Sequence, residues 1–118
     1  MKIYKLKSYA KINLTLNIID KLRNDQRHRI ESIISFIDLA DIIEISENKL
    51  NKHSITFCGK FYRGIPKNNS ISRVLDLLDQ SKYLGQKKYN IKITKNIPQK
   101  SGMGGGSMNA ATILNFFL

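Results

Sequence analysis

The chain has one cysteine, no tryptophan, two prolines and only nine acidic residues among its 118. Each shortage closes off a class of protein. Cys58 alone can form no internal disulfide, and with two histidines in the chain no Cys/His grouping has the spacing of a zinc site. A reducing compartment, the cytoplasm, is the expectation. No run of about 18 apolar residues exists, and the opening MKIYKLKSYAK lacks the apolar stretch of an export signal, so neither a membrane span nor a secretory leader is read in it. There is no internal repeat and no low-complexity linker, and the length leaves room for one core.

What is present is a globular composition, with 42% hydrophobic and 25% charged residues and five each of Tyr and Phe. A net charge of +11 would suit a nucleic acid or an anionic surface. Ile, Asn and Lys are abundant together, as an AT-rich coding sequence would make them, so bulk charge says little about a partner. A local feature says more. After Asp79 no acidic residue occurs, while Lys82, Lys87, Lys88, Lys92, Lys95 and Lys100 lead into a glycine-rich loop. Positive potential there favours a phosphate-bearing ligand.

From Lys11 to Ile19 apolar and polar residues alternate, the pattern of a half-buried strand that points Lys11 and Asn13 the same way. β-Branched runs at 30–37 and 42–45, with Asp38 to Asp41 as the turn between them, predict consecutive antiparallel strands. Ser54 to Cys58 is a short strand candidate, followed by a Gly/Pro/Asn loop from Gly59 to Asn69. Ser70 is read as the cap of a helix with Ile71, Val74, Leu75 and Leu78 on its apolar stripe and Gly85 near its end. Alternation around Tyr89, Ile91 and Ile93 predicts a strand running toward Pro98, and a helix opens at Ser107. The uncapped apolar ending Asn115-Phe116-Phe117-Leu118 is read as truncation.

The loop between that strand and helix carries Gly102, Gly104, Gly105 and Gly106 within five positions. Bare backbone lets N–H groups approach an anion, and the helix start adds its dipole. No Gly-Lys-Ser/Thr closes the loop, and Ser107 stands where a dinucleotide fingerprint needs glycine, so neither of those motifs applies. On its own the loop is either a phosphate cradle or a flexible turn.

Its context is more specific. Pro98, Gly102, Met103, Gly104, Gly105, Gly106, Ser107, Asn109, Ala110 and Ala111 stand in the register of the phosphate loop of the GHMP small-molecule kinases. Ser8-Tyr9-Ala10-Lys11-Ile12-Asn13-Leu14 resembles that family's Ser-x-Ala-Lys-x-Asn-Leu strand. Phe36 to Asp41 resembles its Asp-Leu-x-Asp turn, and Asn69-Ser70-Ile71 its Asn-Leu-Ile helix start. Within the family the likeness is to members acting on a diphosphocytidyl methylerythritol in isoprenoid-precursor synthesis.

The resemblance implies an α+β fold of the ribosomal protein S5 domain 2-like type, with residues 1–118 forming part of an ATP-binding N-terminal domain and the C-terminal domain absent. It implies transfer of the ATP γ-phosphoryl group to a substrate hydroxyl, with Mg²⁺. Lys11 takes the catalytic position, Asn13 and His28 the substrate, and Pro98, Gly102, Gly104, Gly105, Gly106 and Ser107 the ATP phosphates. Asn69 and Lys95 fall on the adenine side, and no metal ligand is assigned. The implied partners are ATP and a small-molecule substrate, with no nucleic acid and no membrane. Gln26 and Arg27 replace the Gly and Tyr that precede the family's histidine, Arg27 offering a guanidinium plane for stacking, and Met108 replaces a loop serine. The family's catalytic aspartate has no counterpart among these residues, so the activity is that of an intact parent protein. Two other readings stay open: another GHMP kinase, or a non-enzymatic RNA-binding domain of S5-like fold.

Overall fold

In a computed structural model, which describes residues 2–10, 39–99 and 105–118, the alternating segments become strands β1 (Ile3–Tyr9), β2 (Ala40–Asn48), β3 (Ser54–Gly59) and β4 (Lys88–Lys95). They form one sheet in the order β1-β2-β4-β3. β2 pairs antiparallel with both β1 and β4, whereas β3 runs parallel to β4. A parallel neighbour needs a crossover, and helix α1 (Ser70–Gln80) supplies it between β3 and β4. Helix α2 (Gly105–Phe117) follows β4. The expected strands at 11–19 and 30–37 lie outside the described residues.

Register converts the period of two into layers. Leu6, Ile43, Ile93 and Phe57 are partnered across the sheet in one row, and Tyr4, Ile45, Ile91 and Ile55 in the next. Ile43, Ile45, Ile91 and Ile93 are at most 1% exposed and pack with Ile71, Leu75 and Ile113 of the two helices. Each such side chain contributes about 1.5–3 kcal/mol through its removal from water. The row nearest the glycine-rich loop is different: it pairs Ser8 with Asp41 on one side and Lys95 with Gly59 on the other.

Asp41 therefore corrects the expected turn. It lies inside β2 and is fully buried, a strand residue rather than an exposed turn residue. The cap of α1 is also displaced by one position. Asn69, not Ser70, accepts from the amides of Ile71 and Ser72, and the Ser72 hydroxyl accepts from the Asn69 amide in return. That reciprocal box satisfies helix donors that would otherwise be orphaned, worth about 1 kcal/mol.

The end of α1 is set by Lys82 in the left-handed region (φ 59°), with Lys82 N–H donating to Asp79 and Tyr83 N–H to Leu78. This is a Schellman closure, three residues ahead of the glycine expected to mark it. At the far end of α2, Phe116 packs on Tyr4 (5.0 Å between ring centroids) and Phe117 on Tyr89 (4.8 Å). These two rings thus find partners within the described residues. No helix among the described residues is long and apolar enough to cross a membrane.

Candidate functional site

The glycine-rich segment leaves β4 at Lys95 and re-enters described structure at Gly105, the first residue of α2. The opening turn of a helix has N–H groups without intrahelical acceptors, and it concentrates the positive end of the dipole. Here no acidic side chain occupies that turn. Gly106 and Ser107 are exposed and Met108 is half-buried. Among the described residues, a Cβ built on Gly106 would meet nothing nearer than the Ser70 hydroxyl at 3.9 Å, so their packing does not demand glycine there. The Ser70 hydroxyl donates to the Gly106 carbonyl (3.1 Å), which sets the starts of the two helices side by side.

Both ends of this segment are anchored in one buried polar network. Lys95 Nζ donates to Asp41 Oδ2 (2.6 Å) and to Asn109 Oδ1 (2.8 Å). Asn109 Nδ2 donates to Ser8 Oγ (2.9 Å) and Asp41 Oδ2 (3.0 Å). Asp41 Oδ1 accepts from the amides of Asn96 (2.7 Å) and Ile97 (2.9 Å), the first two residues after β4. Ser8, Asp41, Asn109 and Lys95 are all under 5% exposed, and no buried side-chain N or O among the described residues lacks a partner. A buried ion pair of this kind is tolerable because each buried polar atom in it has a hydrogen-bond partner; removing one partner costs about 3–5 kcal/mol.

The network reaches the strand that leads to Lys11. Ser8 belongs to β1, and beyond it the Ala10 amide still donates to the Leu39 carbonyl (2.9 Å), so the backbone is held up to the residue before Lys11. Lys11, Asn13, His28, Gly102 and Gly104 themselves lie outside the described residues. Pro98 is half-buried at the loop entry, where an open cleft of about 450 Å³ is lined by Lys60, Phe61, Arg63, Gly64, Pro98 and Gln99. Gln99 Nε2 closes one wall by donating to the carbonyls of Phe61 (2.6 Å) and Arg63 (2.9 Å).

The two residues expected on the adenine side have their side chains engaged with protein. Asn69 caps α1 and also donates to the Pro66 carbonyl (2.8 Å), and the Lys95 ammonium is inside the network. Lys88 pairs with Asp79 (3.2 Å), so among the described residues two of the lysines that precede the glycines, Lys88 and Lys95, have carboxylate partners. The local positive field is weaker than the bare count suggested. Asp41 and Asn109 are the contributors that pattern reading missed. The signal available for Asp41 was an acid in phase with Ile43 and Ile45, on the inward face of its strand.

For a metal ion the described residues offer little. No group of three or more His, Cys, Asp or Glu is gathered among them. At the start of α2 the oxygen-bearing side chain is Ser107, and the Met108 thioether is a poor donor to a hard cation. The arrangement fits a phosphate chain better than a protein-held metal.

The family model described as GHMP kinases N terminal domain matches residues 69–118. The 4-diphosphocytidyl-2-C-methyl-D-erythritol kinase of Pelagibacter ubique is 55% identical over 100% of this chain, which corresponds to 41% of that protein. The kinase of the same name from Thermoanaerobacter pseudethanolicus is 39% identical over 97% of the chain and 38% of its own length. A crystal structure of 4-(cytidine 5'-diphospho)-2C-methyl-D-erythritol kinase superposes with a TM-score of 0.50 at 26% identity, over 66% of this chain and 26% of that one. The chain thus spans about two-fifths of the length of the curated relatives it matches. With the family model seated on α1, β4 and α2, and identity of this order continuing through β1 and β2, the likeness to the GHMP kinases runs along the chain.

Proposed function

We propose that this chain supplies the ATP-binding part of a kinase that phosphorylates the 2-hydroxyl of 4-diphosphocytidyl-2-C-methyl-D-erythritol for isoprenoid-precursor synthesis. The observation that carries the proposal is the first turn of α2, free of acidic side chains, with no described residue crowding Gly106 and with Asn109 bonded to the strand that leads to Lys11. The relatives named for this reaction match along the chain.

In this reading the amides from Gly102 to Ser107 bind the β- and γ-phosphates, and Pro98 fixes the entry of the loop. Phosphoryl transfer asks mainly for alignment and for donors aimed at spread-out negative charge, and amides on a fixed helix start meet both needs without reorganising. Lys11 holds the acceptor oxygen against the γ-phosphate, while Asn13 and His28 orient the rest of the substrate. Asn69 stands on the adenine side at the start of α1, while Lys95 acts from within the buried network rather than as a wall residue. Mg²⁺, when bound with the nucleotide, neutralises phosphate charge; Ser107 is the one hydroxyl at hand for it, and no step is assigned to the metal. Residues 1–118 form part of the N-terminal domain, and the family's aspartate comes from outside them.

The test is a chimera in which residues 1–118 replace the matching 41% of the Pelagibacter ubique kinase. ATP-dependent phosphorylation of the diphosphocytidyl substrate is expected. Lys11→Ala should lower kcat by about 10²-fold or more. Gly106→Ala should leave the melting temperature unchanged or slightly raised, since alanine favours a helix, yet weaken ATP binding about tenfold by filling the space over the first turn. A chimera that folds, binds ATP and never phosphorylates this substrate overturns the assignment. Full activity in Lys11→Ala removes that residue from catalysis.

A further inference from the structure

We infer that the buried quartet of Ser8, Asp41, Lys95 and Asn109 is the positioning device of the phosphate loop, and that Asn109 is its hinge-pin. The inference rests on the phosphate-loop reading above, but it concerns how the loop is held rather than what it binds. Asp41 fixes the entry of the loop through the amides of Asn96 and Ile97. Asn109, in the second turn of α2, fixes the exit, because its amide group bonds Ser8, Asp41 and Lys95 at once. These contacts come from β1, β2, β4 and α2, elements far apart in sequence.

Stability alone could have been met by leucine and isoleucine, as in the two apolar rows next to this one. A matched polar cluster instead has direction: each member accepts one arrangement of the others, so the loop ends and the end of β1 are locked in one relation. Lys95 is therefore a positioning residue acting through Asp41 and Asn109, since its ammonium is 4% exposed and both bonds face inward. Ser8 extends that control to the strand preceding Lys11. Among the described residues, the charged groups facing Asn109 are Asp41 on β2 and Lys95 on β4, with the Ser8 hydroxyl on β1.

Two substitutions separate positioning from bulk stability. Ser8→Ala leaves Asn109 bonded to Asp41 and Lys95 but cuts the link to β1. In the chimera it should lower kcat about tenfold with KM for ATP unchanged, the result of slight misplacement between two reacting groups. Asn109→Asp puts a carboxylate where an N–H faced Asp41, and only a proton on that new pair restores a donor. KM for ATP should rise about tenfold at neutral pH and recover as pH falls toward the carboxylate range, a profile the parent lacks.

The second readout, amide exchange in the 118-residue chain, needs no activity. In Asn109→Asp, protection of the Asn96 and Ile97 amides should fall at neutral pH and return in acid, after correction for intrinsic exchange. Unchanged kinetics in Ser8→Ala overturns the proposal. So does exchange at Asn96 and Ile97 that ignores Asn109→Asp, or losses that follow only the unfolded fraction and show no acid recovery. If wild type binds no ATP, the functional reading fails and the exchange result still decides this one. If Asn109→Asp does not fold, Ser8→Ala exchange decides it: protection at Asn96 and Ile97 kept while Asn109 side-chain amide protection drops supports the quartet, and no change in either refutes it.

Discussion

Gly59 stands at the end of β3 with φ +96°, and a Cβ there would lie 2.6 Å from the carbonyl oxygen of Lys95 and 2.7 Å from its nitrogen. Both facts require glycine: the dihedral disfavours a side chain, and the obstacle is backbone that cannot swing aside. Lys82 presents the opposite case, a lysine held at φ 59° in the closing turn of α1. Its position asks for glycine and does not have it. We predict that Gly59→Ala destabilises the chain by about 2–4 kcal/mol, and that Lys82→Gly stabilises it by about 0.5–1 kcal/mol. Urea unfolding of both variants checks the pair, and the same sign for both would refute the backbone argument. Nothing in the residue string distinguishes these positions. Gly59 reads as loop composition and Lys82 as a surface cation, and only the parallel approach of β3 to β4 and the Schellman turn give them their roles.

At the scale of elements, α1 is joined to the start of β4 by a cluster at the opposite end of the sheet from the loop. His53 Nε2 lies 3.0 Å from Asp79 Oδ2, and its Nδ1 accepts from the Tyr89 amide (3.1 Å), which places the ring proton of the neutral form on Nε2. The imidazole thereby continues the ladder one step beyond the first residue of β3, taking the place of a main-chain acceptor. Lys88 completes the cluster on the same carboxylate oxygen. Burial pushes the Asp79 carboxyl up, but hydrogen bonds and positive charge from His53 and Lys88 outweigh it and hold the group below its ordinary 3.8.

A depressed carboxyl contributes stability that is fully present above its unfolded value and is lost as pH falls through the folded one. The loss therefore belongs in the acid range, below about pH 4. Because Asp79 is partly open to solvent, we expect about 1 kcal/mol or less from it. Asp79→Asn should lower stability at neutral pH and flatten the acid limb of the stability curve relative to wild type. Identical acid limbs would show that the cluster contributes nothing. The strand and helix periodicities were legible here because apolar residues repeat at two and at three to four. The cluster was not, since His53, Asp79 and Lys88 are joined by a crossover that no local pattern records.

Across the whole molecule, the helix that follows the glycine-rich segment could be read from composition and order alone, whereas the quartet beside it could not. Ser8 and Asn109 are 101 positions apart, and a buried polar residue resembles a surface one until the register is known. The same blindness affects charge. The total of +11 is unaltered by folding, but Lys95 and Lys88 are paired with Asp41 and Asp79, so those two acids are already engaged in shielding particular lysines. The remaining cations outnumber the remaining anions, and net repulsion of this kind opposes the compact state. Salt shortens the reach of that repulsion to about 8 Å at physiological strength while leaving the buried pair almost untouched. We therefore predict that the melting temperature rises when sodium chloride is increased from low to physiological strength and beyond, by roughly 4–8 °C if about 1 kcal/mol is relieved. A flat or falling trend would mean that attractive surface pairs outweigh the excess. Lys88→Gln, which removes one positive charge and also an attractive pair that salt would weaken, should then show a larger salt response than the exposed variant Lys87→Gln, which removes a positive charge alone.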